Sequence, residues 1–423
     1  MLNLKGETKS KLIKNFSSLT VLQISNYIFP LITVPYLVRV LGVENYGLAN
    51  FVIAFTAYFI TFSDYGFNLS ATREAALNKN NNDELSMIFN SVIIIKLILF
   101  VSGFLLFSTV VFSFELFSKN YILYMIAFGS VLGNVLFPSW FFQGIERMNL
   151  ISIFSIIVKV LFVISIFLFV KSIGDVDLYL IINSVSSLIL GLVTIFYVYS
   201  KLNITFLLPS KNNIVHQLKE GYHIFLSTLS INLYTTSNTF LLGLLAGNQA
   251  VGIFSGANKI REAYQGLLGN FGRTFYPHIS EQFKENRSKA FSQIKKYSVI
   301  VVGLSFLSGL ILFILAPQII SLVLGPDFHE AVSVFQILAF VPAIIMISNI
   351  AGIQIMLNLG YKKEFNRIIF SAAIVNIIFM FVLVPSLSFN GAALSILITE
   401  IFVSALMVLF IFCKVQYGNN LVE

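Results

Sequence analysis

Twelve stretches of about twenty apolar residues follow one another along the chain, each long enough to cross a bilayer as a helix. They occupy residues 17–40, 48–66, 87–112, 121–142, 151–170, 178–200, 223–245, 252–276, 298–324, 331–357, 368–386 and 392–413. Water cannot accommodate so much apolar length, and the rest of the chain is too short to cover it. Of 423 residues, 57% are hydrophobic and 11% charged, where a soluble domain carries about 25% charged residues. A soluble enzyme is therefore excluded. The alternating strands of an outer-membrane barrel are missing. The sequence predicts an all-α integral membrane protein with about 12 transmembrane helices.

A formal net charge of +8 raises the question of nucleic acid, but the positions of the charges answer it. With the N-terminus in the cytoplasm, 19 Lys and Arg fall in cytoplasmic segments, and outside there are only Lys119 and Lys171. The other six lie within or at the ends of spans. This is the positive-inside asymmetry of membrane proteins, and it predicts that both termini are cytoplasmic. The basic balance is topological. Its partners are anionic lipid headgroups of the bilayer rather than nucleic acid.

The single cysteine, Cys413, has no second thiol to pair with. The lysine-bearing start followed by residues 17–40 resembles a signal peptide, but the apolar stretch is too long and has no small-residue cleavage site. It reads as the first span.

Outer loops are short, and the longest cytoplasmic ones lie near 67–86, 201–222 and 277–297. The middle one falls near the centre of the chain and suggests a duplication. Gly42-Val-Glu-Asn-Tyr-Gly47 follows the first span, and Gly247-Asn-Gln-Ala-Val-Gly252 follows the seventh, 205 residues later. Gln143-Gly144-Ile145-Glu146-Arg147 after the fourth span parallels Leu359-Gly360-Tyr361-Lys362-Lys363 after the tenth. The reading is an N-terminal six-helix lobe (1–200), an interlobe linker (201–222) and a C-terminal six-helix lobe (223–423). Repeats of this parity share an axis along the membrane normal, and transporters built that way bind substrate near the midplane at the repeat interface.

Charges inside a bilayer are costly and mark functional paths. Those here are Arg39, Asp64, Lys96, Lys159, Lys259, Arg261, Glu262, Arg273 and Glu400. Arg39, Asp64 and Lys96 lie where snorkelling to the interface is an alternative. Lys159 and Glu400 fall near the midplane. In the eighth span Lys259, Glu262, Gly266, Asn270 and Arg273 follow helical steps on one face, widened by Arg261 and Gln265. Either Lys259 and Glu262 neutralise each other inside a lobe, or the stripe faces a cavity; the surplus of arginine favours the cavity. The seventh span adds Thr228, Asn232, Thr235 and Thr239, and the first adds Gln23, Asn26 and Thr33 beside Pro30. Such stripes line a cavity or bind helices together.

Nothing catalytic emerges. The four histidines are scattered without metal-ligand spacing, and neither a phosphate-binding glycine loop nor an activated nucleophile is present. The sequence calls for no metal and no cofactor.

Several segments resemble the polysaccharide repeat-unit (O-antigen) flippases, of the superfamily that also holds multidrug exporters of the MATE type. Leu22-Gln-Ile-Ser-Asn-Tyr-Ile-Phe-Pro-Leu-Ile-Thr-Val-Pro-Tyr-Leu-Val-Arg-Val-Leu-Gly42 with Asn45-Tyr-Gly47 looks like the family's first helix and its exit. Asp64-Tyr-Gly-Phe-Asn-Leu-Ser-Ala-Thr-Arg-Glu-Ala75 resembles its motif after the second helix and is the most specific match. Trp140-Phe-Phe-Gln-Gly-Ile-Glu-Arg147 resembles its fourth junction, and Gly391-Ala-Ala-Leu with Glu400 its last helix. The resemblance implies a MATE-like fold in the bacterial inner membrane. It also implies a cargo, an undecaprenyl-pyrophosphate-linked oligosaccharide, moved to the periplasmic leaflet. The polysaccharide polymerase and chain-length machinery are then candidate partners.

For that cargo Arg39, Lys259, Arg261 and Arg273 are the candidate pyrophosphate grip. Gln23, Asn26, Tyr27, Thr33, Thr228, Asn232, Thr235, Thr239, Gln265 and Asn270 are the candidate glycan lining, with Tyr36, Tyr234 and Tyr264 as further hydrogen-bonding wall. Asp64, Glu262 and Glu400 are candidates for ion coupling. Two other classes stay open: a related drug exporter, expected to have an acidic cavity, and a polysaccharide polymerase, expected to have a large periplasmic loop.

Overall fold

The computed structural model describes residues 6–418, with the side chains of 6–16, 19, 223, 227, 230–235, 270–278, 284 and 415–418 outside the description. In chain order the helices are α1 (Gly6–Asp64), α2 (Phe67–Leu77), α3 (Asn82–Ser113), α4 (Glu115–Ser118), α5 (Tyr121–Leu136), α6 (Ser139–Gly144), α7 (Met148–Phe169) and α8 (Val176–Lys201). There follow α9 (Lys211–Thr235), α10 (Ser237–Glu285), α11 (Arg287–Ile314), α12 (Ala316–Val323), α13 (Ala331–Leu338), α14 (Val341–Ser348) and α15 (Lys362–Gly418). A π-helical turn, Asn349–Met356, continues α14. Nine helical segments among the described residues are long and apolar enough to cross a membrane. Helix is the expected outcome, because lipid offers no partner for a free backbone N–H or C=O.

Several expected loops are helical. α2 occupies the first half of the loop expected at 67–86, and α10 runs on through Glu285 into the one expected at 277–297. Polar residues mark the remaining breaks. The Asn81 side chain accepts from the N–H groups of Asp83 and Glu84 at the start of α3, and Asn286 does the same for Lys289 at the start of α11. Each satisfies donors that a helix start leaves open.

The chain divides into two compact units. One comprises the residues up to Thr33 together with Val52–Asn232; the other comprises Val34–Phe51 together with the chain from Leu233. In the first unit α5 and α8 approach closely because small residues face each other. A β-carbon on Gly133 would lie 2.3 Å from the Ser187 carbonyl carbon, and one on Gly191 would lie 2.6 Å from the Gly133 oxygen. The Ser184 hydroxyl donates across the same seam to the Ile126 carbonyl at 2.6 Å. This is the small-residue packing that membrane helices use in place of a hydrophobic driving force.

The motif segments form the core of this unit. Phe67, Ala71 and Ala75 pack with Phe89, Trp140, Phe141 and Phe142, all buried. Gly144 meets Ala75 so closely that a β-carbon there would stand 2.5 Å from the alanine methyl.

In the second unit the paired glycine motifs adopt one conformation. Gly42 breaks α1 at φ 72°, ψ 173°, and Gly247 breaks α10 at φ 81°, ψ −180°. That region is open only to glycine. The two corners meet reciprocally: a β-carbon on Gly47 would fall 1.8 Å from the Asn248 oxygen, and one on Gly252 would fall 2.0 Å from the Val43 oxygen. α15 is broken at Ser388, φ 49°, ψ −129°.

Candidate functional site

Two polar constellations interrupt the apolar interior, one in each unit. In the first unit the end of α1, the start of α2, α3, α5 and α9 enclose a cavity of about 200 Å³ lined by Thr61, Ser63, Asp64, Asn68, Lys96, Asn134 and Thr228. Its floor is an ion pair. Lys96 Nζ lies 3.1 Å from Asp64 Oδ1, with the lysine side chain 3% exposed. Asn68 donates to Asp64 Oδ2 at 2.6 Å, and Ser139 donates to the Asn68 oxygen at 3.2 Å.

The geometry follows from local structure. Tyr65 and Gly66 turn the chain with positive φ, so α1 ends on Asp64 and α2 begins immediately. α9 closes over that corner: Phe225 stacks on Tyr65 at 4.9 Å, and Gly221 sits where a side chain would strike the Tyr65 carbonyl. Thr228 reaches the cavity one turn further on. Snorkelling, the alternative for Asp64 and Lys96, is not what they do. They neutralise each other instead.

In the second unit the polar face of α10 forms a closed network. Lys259 Nζ lies 3.0 Å from Glu262 Oε2, and Asn258 donates to Glu262 Oε1 at 2.9 Å. Arg261 donates through Nε and Nη2 to the Asn258 oxygen, at 3.0 and 2.7 Å, and through Nη1 to Gln265. Its Nη2 also stands 4.0 Å from Glu262. The guanidinium is mostly enclosed, whereas Lys259 and Glu262 are about 40% exposed. One acid thus faces two bases, which leaves the network with a net positive charge.

The remaining candidates are dispersed. Arg39 donates through Nη2 to the Leu322 carbonyl at 2.6 Å and so ties the end of α1 before its break to the C-terminal turn of α12. Gln23 donates to the Tyr27 hydroxyl at 2.6 Å, and Asn26 accepts from Lys159. Thr33 is buried, with its hydroxyl turned back to the Phe29 carbonyl at 3.0 Å. Thr239 is half-buried on α10, and Glu400 is buried on α15. The side chains of Asn232, Tyr234, Thr235, Asn270 and Arg273 lie outside the described residues. Arg39, Lys259 and Arg261 fall in the second unit, as do Glu262 and Glu400; Asp64 falls in the first.

Two polar links escaped sequence reasoning. Glu74, quoted only as part of a motif, accepts from His216 Nε2 at 2.8 Å and from Gln217, joining α2 to α9. Asn90 is buried and donates to Ser86 O and Thr205 O while accepting from Tyr199 at 2.7 Å, which fastens the extended segment after α8 to α3. Neither carries a spacing signal, because the partners come from distant stretches of the chain.

The sequence profile of the family described as polysaccharide biosynthesis protein matches residues 12–283. The chain belongs to that family. A protein of Escherichia coli (strain K12) named "Putative O-antigen transporter" is 35% identical over 403 residues, covering 95% of this chain and 97% of its own. A protein of the same name from Shigella dysenteriae is 30% identical, covering 93% and 98%.

Among solved structures, an inward-facing multidrug resistance MATE family transporter of the MOP superfamily superposes with TM-score 0.77 at 15% identity, covering 97% of this chain and 100% of that one. The lipid II flippase MurJ in an inward closed conformation gives TM-score 0.75 at 14% identity, covering 95% and 87%. At such identities the likeness is one of fold. The family resemblance and the MATE-like helical architecture read from the sequence agree with these findings. The motifs that carry the resemblance are chiefly packing surfaces: Phe67, Ala71, Ala75, Trp140 and Gly144 hold α2, α3 and α6 together.

Proposed function

We propose that this chain flips undecaprenyl-pyrophosphate-linked oligosaccharide repeat units from the cytoplasmic to the periplasmic leaflet of the bacterial inner membrane, for O-antigen or a related surface polysaccharide. The observation that carries this reading is family membership together with 35% identity, across 95% of the chain, to a protein named as an O-antigen transporter. The protein is then a transporter and not an enzyme. The polysaccharide polymerase and chain-length machinery are its proposed partners.

The working topology has twelve spans. The breaks at Gly42, Gly247 and Ser388 each divide one span from the next, and α9 with the start of α10 supplies the seventh. The distribution of Lys and Arg supports cytoplasmic termini. The two six-helix lobes of the sequence reading give alternating access of the headgroup to the two faces of the membrane, while the polyprenyl tail stays in lipid.

Arg39, Lys259, Arg261 and Arg273 are the proposed grip on the pyrophosphate. An ion left alone in hydrocarbon costs several kcal/mol or more, so the headgroup needs fixed cations along its path. The net positive charge of the Lys259–Arg261–Glu262 network supports an anionic cargo over the cationic drugs of a related exporter. The amide and hydroxyl stripes, from Gln23, Asn26, Tyr27 and Thr33 to Thr228, Asn232, Thr235, Thr239, Gln265 and Asn270, are the proposed glycan wall. Asp64, Glu262 and Glu400 are the acids available for ion coupling.

The test is flipping of a fluorescent undecaprenyl-pyrophosphate glycan in proteoliposomes, comparing the wild type with Arg261→Ala and Arg273→Ala of verified fold. Flipping by the wild type and its loss in the variants is the expected result. A wild type that leaves the glycan on its original leaflet overturns the function. Full activity in both variants overturns their role in it.

A further inference from the structure

Lys159 stands apart from every other embedded cation whose side chain is described. α7 is 22 residues long, Met148–Phe169, and Lys159 is its twelfth. At 1.5 Å per residue the lysine lies about 16 Å from either end, too deep to snorkel to the interface. It lies on the packed side of its helix. Ile153, Ile157, Leu161 and Ile164 form the exposed side of α7, whereas Ser152, Ser155 and Ile166, which share the Lys159 side, are buried.

That side runs along α1. Ser152 donates to the Ser18 carbonyl at 2.7 Å, and two turns on Lys159 donates to the Asn26 side-chain oxygen. All these residues belong to the first unit. Asn26 is exposed and Lys159 half-buried, so the pair is not sealed in.

The partner is a neutral amide. Lys96 has Asp64, Lys259 has Glu262, and Arg261 has Glu262 with two amides. Arg39 also has a neutral partner, but it is exposed beside the break at Gly42, at the end of its span. Among the described residues no carboxylate lies within ion-pair distance of Lys159. A hydrogen bond to an amide orients an ammonium but leaves its charge intact. A positive charge held there has no opposite charge beside it, at a depth where that is costly. The neighbouring groups suit phosphoryl oxygens. Asn26 uses its oxygen on Lys159 and keeps its N–H groups as donors.

We propose that Lys159, oriented by Asn26, is an anion site on the first unit that binds the phosphoryl oxygens of the polyprenyl pyrophosphate during translocation. This rests on the flippase reading and adds to the grip a residue that sequence spacing did not single out. The position favours the cargo over bulk phospholipid, because phospholipid headgroups lie at the bilayer surface.

The experiment measures binding of undecaprenyl pyrophosphate to the full-length protein in nanodiscs, with phosphatidylglycerol as competitor, alongside glycan flipping in proteoliposomes. Lys159→Met is expected to weaken binding about tenfold or more, the usual value of a hydrogen bond to a charged group, and Lys159→Arg to retain most of it. Asn26→Asp keeps the lysine but pairs it with a carboxylate. It should lose binding too, which covers the case in which Lys159→Met fails to fold.

Wild-type binding and flipping in both Lys159→Met and Asn26→Asp overturn the site and leave the flippase reading intact. Lys159-dependent binding by a protein that moves no glycan supports the site and overturns that reading. Equal competition by phosphatidylglycerol overturns the assignment to cargo, and no binding by the wild type overturns the site outright.

Discussion

Asp64 and Lys96 lie 32 positions apart, and each is explicable alone as a helix-end residue reaching for water. Their meeting at 3.1 Å, with the lysine side chain 3% exposed, replaces that account with mutual neutralisation. Removing one partner of such a pair is far costlier than replacing both. Lys96→Ala should therefore destabilise the protein by about 3 kcal/mol, read as a lower thermal midpoint in detergent. The double variant Lys96→Met with Asp64→Asn should recover much of that loss.

Asp175 gives a pH-dependent counterpart outside the membrane. Its carboxylate accepts from the N–H groups of Lys171 and Ser172, both at 2.7 Å, and these backbone bonds hold its pKa below the ordinary carboxylate value. A depressed pKa means stabilisation that is present above the unfolded-state value and lost as pH falls through the lowered one. Amide exchange at Lys171 and Ser172, corrected for intrinsic rates, should stay protected until the pH drops below the usual carboxylate range. Asp175→Ala should remove the protection at every pH.

Among the secondary elements, the glycine corners carry the clearest constraint. Gly42 and Gly247 are 205 residues apart in sequence and share one left-handed conformation, and the corners they begin meet through Gly47 and Gly252. The spacing was legible in the sequence because a corner of this kind requires glycine wherever it occurs. The contact was not, because no local property of either segment says that one will touch the other. Gly252→Ala would push a methyl to 2.0 Å from the Val43 carbonyl oxygen, a backbone atom. Overpacking of this sort costs about 1–3 kcal/mol, so the variant should show a lowered thermal midpoint. Gly269→Ala, where nothing lies within 4 Å, is the matched control. An unchanged midpoint in Gly252→Ala would mean that the corners separate without cost.

For the proposed flippase, the energetic question is what would drive an anionic cargo outward. An interior-negative potential favours anion export by about 2.3 kcal/mol per charge per 100 mV. Dissipating the potential in proteoliposomes should slow net movement of the pyrophosphate-linked glycan, while collapsing the pH gradient alone should not. The reverse pattern would shift attention to Asp64, Glu262 and Glu400 as carriers of a coupled ion. The fluorescent-glycan assay decides this, with ionophores added singly.

Membrane helices and their order were legible because each depends on one segment at a time. Apolar length decides whether a stretch crosses lipid, and the balance of Lys and Arg bears on which face its ends occupy. Family membership was legible for a similar reason: Phe67, Ala71, Ala75 and Gly144 must be small or aromatic at fixed places for α2 and α6 to pack.

The roles of the charges were not. Spacing put Lys259 and Glu262 on neighbouring turns of α10, yet whether Arg261 stood free or bonded to Asn258 and Gln265 depended on rotamers that spacing does not report. Lys159 was recognisable as a midplane charge, but its neutral partner comes from Asn26, 133 positions earlier. Lipid acts on every helix alone, so sequence indicated the long apolar helices but not the helical stretches within the expected loops, α2 and the end of α10. Electrostatic compensation needs two groups within a few ångströms, so only the tertiary structure decided which of the described cations meet a carboxylate and which, like Lys159 and Arg39, meet a neutral group.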